Sequence, residues 1–214
     1  MIGSSLCWSC HGVTVSGLFC TTCHAILPMD PGVDFFHLFD MTPTYDVDPV
    51  VLEQRYRALQ KQLHPDYFAS RTPMERRLSL EHVTRVNEAL QTLSDPMLRA
   101  GYLLERVGGK TGSSGSDPEF LQAVMEWREL LEEVNLQAAD ALERLAALRV
   151  EARKRLKVEE DRVAQLFRAF FAGSGQDQGS LSGIVRLVDR MRYHRRFLEE
   201  VDRLEDQAFE FANG

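Results

Sequence analysis

Four cysteines stand in two Cys-x-x-Cys pairs, Cys7-Trp8-Ser9-Cys10 and Cys20-Thr21-Thr22-Cys23, nine residues apart, and the 214-residue chain has no others. Two such pairs can supply four thiolates to one tetrahedral zinc ion, with Gly12 and Gly17 helping the chain between them turn back. So short a segment cannot enclose a core, and a metal would be its main source of folding energy. Three other chemistries share the pattern. A pair of disulfides needs an oxidising compartment. A redox pair expects a βαβ context, which the sequence does not offer. His11 and His24 make each pair read Cys-x-x-Cys-His, the pattern for attaching c-type haem. Haem attachment requires export, and two haems would crowd so small a segment. Zn2+ on Cys7, Cys10, Cys20 and Cys23 is the favoured reading, with the histidines as bystanders.

A second group with chemical potential is His64-Pro65-Asp66. Before it, Leu52, Tyr56, Leu59 and Leu63 recur with the spacing of an amphipathic helix. After it, Val83, Val86, Leu90 and Leu93 form a second stripe. That segment is opened by Thr72-Pro73-Met74-Glu75, an N-cap threonine, a proline at the first helical position and a glutamate placed to close a capping box. Pro65 keeps His64 out of the helical basin and ends the first helix. The tripeptide therefore belongs at the tip of a helical hairpin, with its His and Asp facing outward. Arg55, Arg57 and Lys61 lie off the apolar stripe and form a basic face leading to that tip.

The elements that position these groups follow from the rest of the chain. Phe35 to Phe39 reads as a short apolar helix able to pack on the hairpin. Gly108 to Ser116 is a linker by composition. Asp117-Pro118-Glu119 opens another helix, and the pattern beyond it is helical except around Gly173–Ser180. The spacing predicts a bundle of three helices over 118–134, 137–172 and 181–211. Phe120, Val124, Trp127, Leu131 and Val134 make its first core stripe, with Leu121 and Met125 rotated off it. In the last helix Ile184, Val188, Met191, Leu198 and Val201 read as core, and Tyr193 lies nearly opposite Met191.

Composition narrows the class. Hydrophobic residues at 44% suffice for a core, and 27% charged with only 9% aromatic suits a helical chain. The net charge of −7 argues against nucleic acid as a partner. The basic face near the hairpin tip is then a local patch suited to an acidic protein surface. No apolar run reaches the ~18 residues of a membrane span, so no membrane association is expected. The N-terminus shows neither signal-peptide nor transit-peptide character. The expected place is cytoplasmic, or the mitochondrial matrix if a transit peptide has been removed.

The basic helix, His64-Pro65-Asp66, the second-helix run Val86 to Ala100 and the short apolar helix together resemble the J-domain of DnaJ-type co-chaperones, over residues 34 to 106. Gly101-Tyr102-Leu103-Leu104 and the C-terminal segment resemble the HscB family, co-chaperones of iron–sulfur cluster biogenesis. The fold class expected is all-α: a J-domain helical hairpin, a C-terminal three-helix bundle and a small N-terminal four-cysteine zinc knuckle. The domains would be 1–31, a zinc-binding segment; 32–107, the J-domain; 108–117, a linker; and 118–214, a bundle that binds the client.

The resemblance also implies roles. His64, Pro65 and Asp66 would stimulate ATP hydrolysis by a DnaK-type chaperone, HscA-like or general, with Arg55, Arg57 and Lys61 docking on its acidic surface. Leu121, Gln122, Met125, Glu126, Arg128, Glu129 and Tyr193 would bind an IscU-type scaffold. Gln122 departs from the family, which usually places an apolar residue there. Zinc-bearing members carry a cysteine segment at the same place. No residue is assigned catalysis: the chain would act by shifting a partner's conformational equilibrium and is not itself an enzyme. The competing reading is a general J-domain adaptor for other clients, which should show a β-rich or Gly/Phe-rich client surface.

Overall fold

The computed structural model describes residues 5–14, 17–30, 32–109, 117–173 and 178–213. It is all-α apart from one hairpin of two-residue strands, β1 (Ser5–Leu6) and β2 (Val13–Thr14), paired antiparallel with Leu6 opposite Val13. The helices are α1 (Phe35–Leu38), α2 (Pro49–Leu63), α3 (Pro65–Phe68), α4 (Pro73–Ser94), α5 (Pro96–Arg106), α6 (Pro118–Glu132), α7 (Ala141–Phe171) and α8 (Gln178–Asn213). Among the described residues, no helix is long and apolar enough to cross a membrane.

The chain divides by packing into two compact units: Met1–Pro43 with Val47–Asp95, and Thr44–Asp46 with Pro96–Gly214. These units differ from the domains expected on functional grounds. The cysteine segment packs with the hairpin, and α5 packs with the bundle.

The first unit is the α2/α4 hairpin. Asp48 caps α2, accepting from the Val50 amide at 2.8 Å, with Pro49 at the first position. Thr72 and Glu75 form the expected capping box on α4. Leu52, Leu63, Leu78, Val86, Ala89 and Leu93 are buried, as are Phe35, Phe36 and Phe39 from α1 and its end. Each buried Val, Leu or Phe among them contributes roughly 1.5–3 kcal/mol by leaving water. Val83 and Leu90, expected on the α4 stripe, are only half-buried. The inner face instead takes Ser79 and His82. Ala25, Ile26 and Leu27 are buried in the same unit. The cysteine segment thus contributes to the core beneath α4 as well as having its own small cluster of Cys7, Cys20 and Leu27.

The second unit is the bundle with α5 against α7 and α8. Trp127, Leu131, Val134, Leu145, Phe197 and Val201 belong to its core. Ile184, Val188 and Met191 are fully buried as expected, while Leu198 is only partly so. Several boundaries shift from those expected. Helix α6 ends at Glu132. Helix α7 starts at Ala141, because Asn135 turns the chain: its side chain and carbonyl accept from the Gln137 and Ala138 amides. Helix α8 starts at Gln178, so Gly179 and Ser180 are helical. Most of the expected linker, residues 110–116, lies outside the described residues, as do residues 174–177 of the second break.

Candidate metal centre and partner interfaces

The two cysteine pairs fold into matching turns. The His11 amide donates to the Cys7 carbonyl and the His24 amide to the Cys20 carbonyl, each at 3.0 Å. His11 and His24 sit at φ of 58° and 59°, the left-handed region. Each histidine is thus a turn residue by backbone, in a conformation uncommon for any side chain but glycine's. The Ser9 and Thr22 amides point at the Cys7 and Cys20 sulfurs at 3.4 Å. Phe19 pairs with Ile26 across the second turn.

All four sulfurs lie within 4.8 Å of one another. Cys7 and Cys23 are 3.7 Å apart and Cys10 and Cys20 3.8 Å, so the four thiols are free. An ion about 2.3 Å from each of four tetrahedral sulfurs separates them by about 3.8 Å. The cluster fits a tetrahedral metal and rules out the disulfide reading for this conformation. Cys7 and Cys20 are buried, while Cys10 and Cys23 are exposed. The Cys20 thiol is pulled down to about 6, first by the Cys23 and Thr22 backbone N–H groups. Cys10 goes the other way, to about 11: the Gly12 backbone pulls it down, but hydrogen bonding to Cys23 and burial outweigh that. A bound cation would hold the Cys10 thiol deprotonated at neutral pH.

At the hairpin tip His64 has φ −57° and ψ 128°, outside the helical basin, as Pro65 requires. The tripeptide is more ordered than a plain turn. His64 caps the one-turn helix α3, its Nδ1 accepting from the Asp66 amide at 3.3 Å. The side chains of His64 and Asp66 stay 50% and 88% exposed. Phe68 anchors the turn by burial. Ser79 ties it down from the other helix, its hydroxyl donating to the Leu63 carbonyl at 2.7 Å. That bond satisfies one of the orphan carbonyls at the end of α2. Neither α3 nor Ser79 is visible from hydrophobic spacing. Arg55 pairs with Asp40 at 3.1 Å and Arg57 with Glu53 at 2.7 Å, all at the surface. Lys61 is exposed and makes no ion pair among the described residues.

On α6, Asp117 caps through the Phe120 amide at 3.2 Å and is itself held by Arg190 at 2.5 Å. Trp127 and Leu131 turn inward, while Leu121 and Met125 stand 52% and 62% exposed. The latter two are therefore not core residues. Gln122 is bonded along the helix to Glu126 at 3.1 Å. Glu126, Arg128 and Glu129 are exposed beside them. Tyr193 differs from the rest of the set: it is half-buried against the bundle core, its hydroxyl donating to the Val124 carbonyl at 3.2 Å.

The chain is thus an all-α protein that exposes His-Pro-Asp at the tip of a helical hairpin in one unit and forms a helical bundle in the other. Comparison with known proteins makes the class more specific. Residues 116–202 match the family model described as the HSCB C-terminal oligomerisation domain. The chain is 32% identical to an iron–sulfur cluster co-chaperone protein HscB homolog from Arabidopsis thaliana, over 91% of this chain and 72% of that one. It is 38% identical to a co-chaperone protein HscB homolog from Burkholderia mallei, over 79% and 95%. The crystal structure of human co-chaperone protein HscB superposes with a TM-score of 0.79 at 30% identity, covering 92% of this chain and 97% of that one. The chain belongs to the HscB family: it is a non-enzymatic co-chaperone of iron–sulfur cluster assembly.

Proposed function

We propose that this co-chaperone binds an IscU-type scaffold, carries it to a DnaK-type chaperone and triggers that chaperone's ATP hydrolysis during cluster transfer. The single observation that supports this best is the exposed His64-Pro65-Asp66 tip, pre-ordered by α3 and by the Ser79 bond. His64 and Asp66 are presented to a partner without a conformational cost, since Pro65 and the cap already fix them. Arg55, Arg57 and Lys61 steer an acidic chaperone surface to the tip. Their present ion pairs are surface pairs worth about 0–1 kcal/mol and are easily exchanged for the partner's carboxylates.

The scaffold face is Leu121, Gln122, Met125, Glu126, Arg128, Glu129 and Tyr193. Two solvent-facing apolar side chains within a charged rim fit the anatomy of a binding patch. Gln122 adds polarity where an apolar contact would add affinity, so the face should bind more weakly than one with leucine or methionine there. The four cysteines hold zinc as a structural ion, which supplies folding energy to the N-terminal segment. The functional division is 1–31, 32–107, 108–117 and 118–214. A reducing compartment, the cytoplasm or a mitochondrial matrix, suits the four free thiols.

Calorimetric titration with an IscU-type protein tests the client face. Leu121→Ala with Met125→Ala should cost on the order of 2 kcal/mol per anchor. Its thermal melt should match the wild type, because both side chains are solvent-exposed. Tyr193→Ala should weaken binding and also lower the melt, since that ring packs on the core. Unchanged affinity in the double variant would favour the general-adaptor reading.

A further inference from the structure

Between α6, α7 and α8 lies a half-open cavity of about 320 Å3, within the ~300–1,000 Å3 range of small-molecule sites. It is separate from most of the proposed client face. Phe120, Ala123, Val124 and Trp127 line it from α6, whereas Leu121 and Met125 do not; only Tyr193 belongs to both.

Its walls are an aromatic box. Phe120 meets Tyr193 edge to face at 5.5 Å and His194 at 5.8 Å, and Trp127 lies 5.5 Å from His194. Such rings offer a flat apolar slot to another planar group. Cations already occupy ring faces that a positively charged guest would need. The Arg155 guanidinium sits 4.6 Å from the Trp127 ring centre and the Arg190 guanidinium 5.1 Å from that of Phe120. These cations are balanced in turn by Glu151 at 2.9 Å from Arg155, and by Asp117 and Glu159 on Arg190. Lys154 lines the mouth, is exposed, and makes no ion pair among the described residues. Glu119, also exposed there, is the charge of opposite sign.

Two lining residues hold buried polar atoms without hydrogen bonds: Nδ1 of His194 and Oε2 of Glu159, the latter 3.5 Å from Arg162 but unbonded to it. His194 is only 4% exposed. Burial first, then the Arg155 and Arg190 charges, hold its pKa down at about 4, so the ring is neutral at pH 7. A bundle selected for packing alone would place apolar groups here.

We propose that this cavity binds a small planar aromatic acid, its ring in the slot formed by Phe120, Trp127, Tyr193 and His194 and its carboxylate at Lys154. The guest ring meets the edges of these side chains, since Arg155 and Arg190 already cover the Trp127 and Phe120 faces. The acid group meets Lys154, a lining cation held in no ion pair among the described residues, with the Glu151 charge near it.

The probe is 2-naphthoate, added to the full chain and followed by the two tryptophan indole N–H signals in NMR. Saturable shifts of the Trp127 signal, with Trp8 unmoved, are expected. Methyl 2-naphthoate, which lacks the charge, should bind more weakly. Lys154→Glu should weaken 2-naphthoate on the order of tenfold, the scale of one charge-assisted hydrogen bond, and Glu119→Gln should strengthen it. Both positions are solvent-exposed, so neither change threatens the fold, and thermal melts verify this. No saturable shift of Trp127 up to the solubility limit overturns the proposal. So does an ester that binds as well as the acid, or a Lys154→Glu variant with unchanged affinity.

Discussion

At the scale of residues, two buried histidines shape the response to acid. His82 is 1% exposed on α4, and its Nε2 lies 2.8 Å from the Leu27 carbonyl. A carbonyl only accepts, so Nε2 carries the proton, and Nδ1 is left without a partner. Burial lowers the pKa of His82, and that of His194 to about 4, both from 6.5. The unfolded chain therefore gains protons that the folded chain refuses. Stability is complete above pH 6.5 and falls as pH drops toward the folded values. The ion-paired carboxylates act lower down. Asp46 and Asp117 are held below 3.8, chiefly by Arg168 and Arg190, and their contribution is lost only as pH falls through the folded values. Melting temperature against pH should thus decline in two windows, the first between about 6.5 and 4. His194→Phe should flatten that first decline while leaving the lower one intact. An unchanged slope in that variant would show that His194 is not held neutral by the fold.

The legibility of single residues varied with the kind of signal they carry. Cys7, Cys10, Cys20 and Cys23 were readable because ligand spacing is local, and the sulfurs do converge. The left-handed backbone at His11 and His24 was not readable, since histidine rarely takes it. His82 and Ser79 were also hidden. A polar residue on an apolar stripe has no visible partner until Leu27 or Leu63, far away in sequence, is brought beside it.

At the scale of elements, caps and prolines marked helix starts well. Thr72-Pro73 and Asp117-Pro118 each open a helix where expected, and Asp48-Pro49 opens α2 by the same chemistry. A start without such a signal was less clear, as at α7, where an asparagine turn displaces it to Ala141 and Asp140 makes no side-chain cap. The cysteine segment, too short to enclose a core of its own, shares that of the hairpin. Ile26 and Leu27 are buried with the hairpin, Trp8 donates to the Ile26 carbonyl at 2.7 Å, and Leu27 satisfies His82. Metal removal should therefore be felt beyond the knuckle. Zinc chelation should lower the melting temperature of the hairpin unit and change the Trp8 fluorescence. Losing the His82 bond alone leaves a buried donor unpaired, at a cost of about 1–3 kcal/mol. Elemental analysis should find one zinc per chain and no haem absorbance beforehand. A chain that melts identically with and without its metal would contradict the shared core.

At the scale of the whole molecule, the proposal gives the two packing units separate tasks. One bears the His64-Pro65-Asp66 tip, proposed to face the chaperone, and the other bears α6, proposed to face the client. Composition and periodicity were enough to foresee an all-α chain with this order of parts, because helical spacing is read within a dozen residues. The grouping of α5 with the bundle was not foreseeable. It depends on Ala100, Leu103 and Leu104 being buried in the same unit as α8, a matter of long-range packing. A co-chaperone of this design makes and breaks no bond itself. Under the proposed function its effect should appear in the partner's turnover, and each face should fail independently of the other.

The most direct test is single-turnover ATP hydrolysis by a DnaK-type chaperone, with and without an IscU-type scaffold, in the presence of this protein. The wild type should accelerate hydrolysis, and scaffold should add to the acceleration. His64→Gln should abolish both effects with a native circular dichroism spectrum, since the side chain is half-exposed and packs on no core. Leu121→Ala with Met125→Ala should lose only the scaffold-dependent part. Full stimulation by the His64→Gln variant would contradict the account.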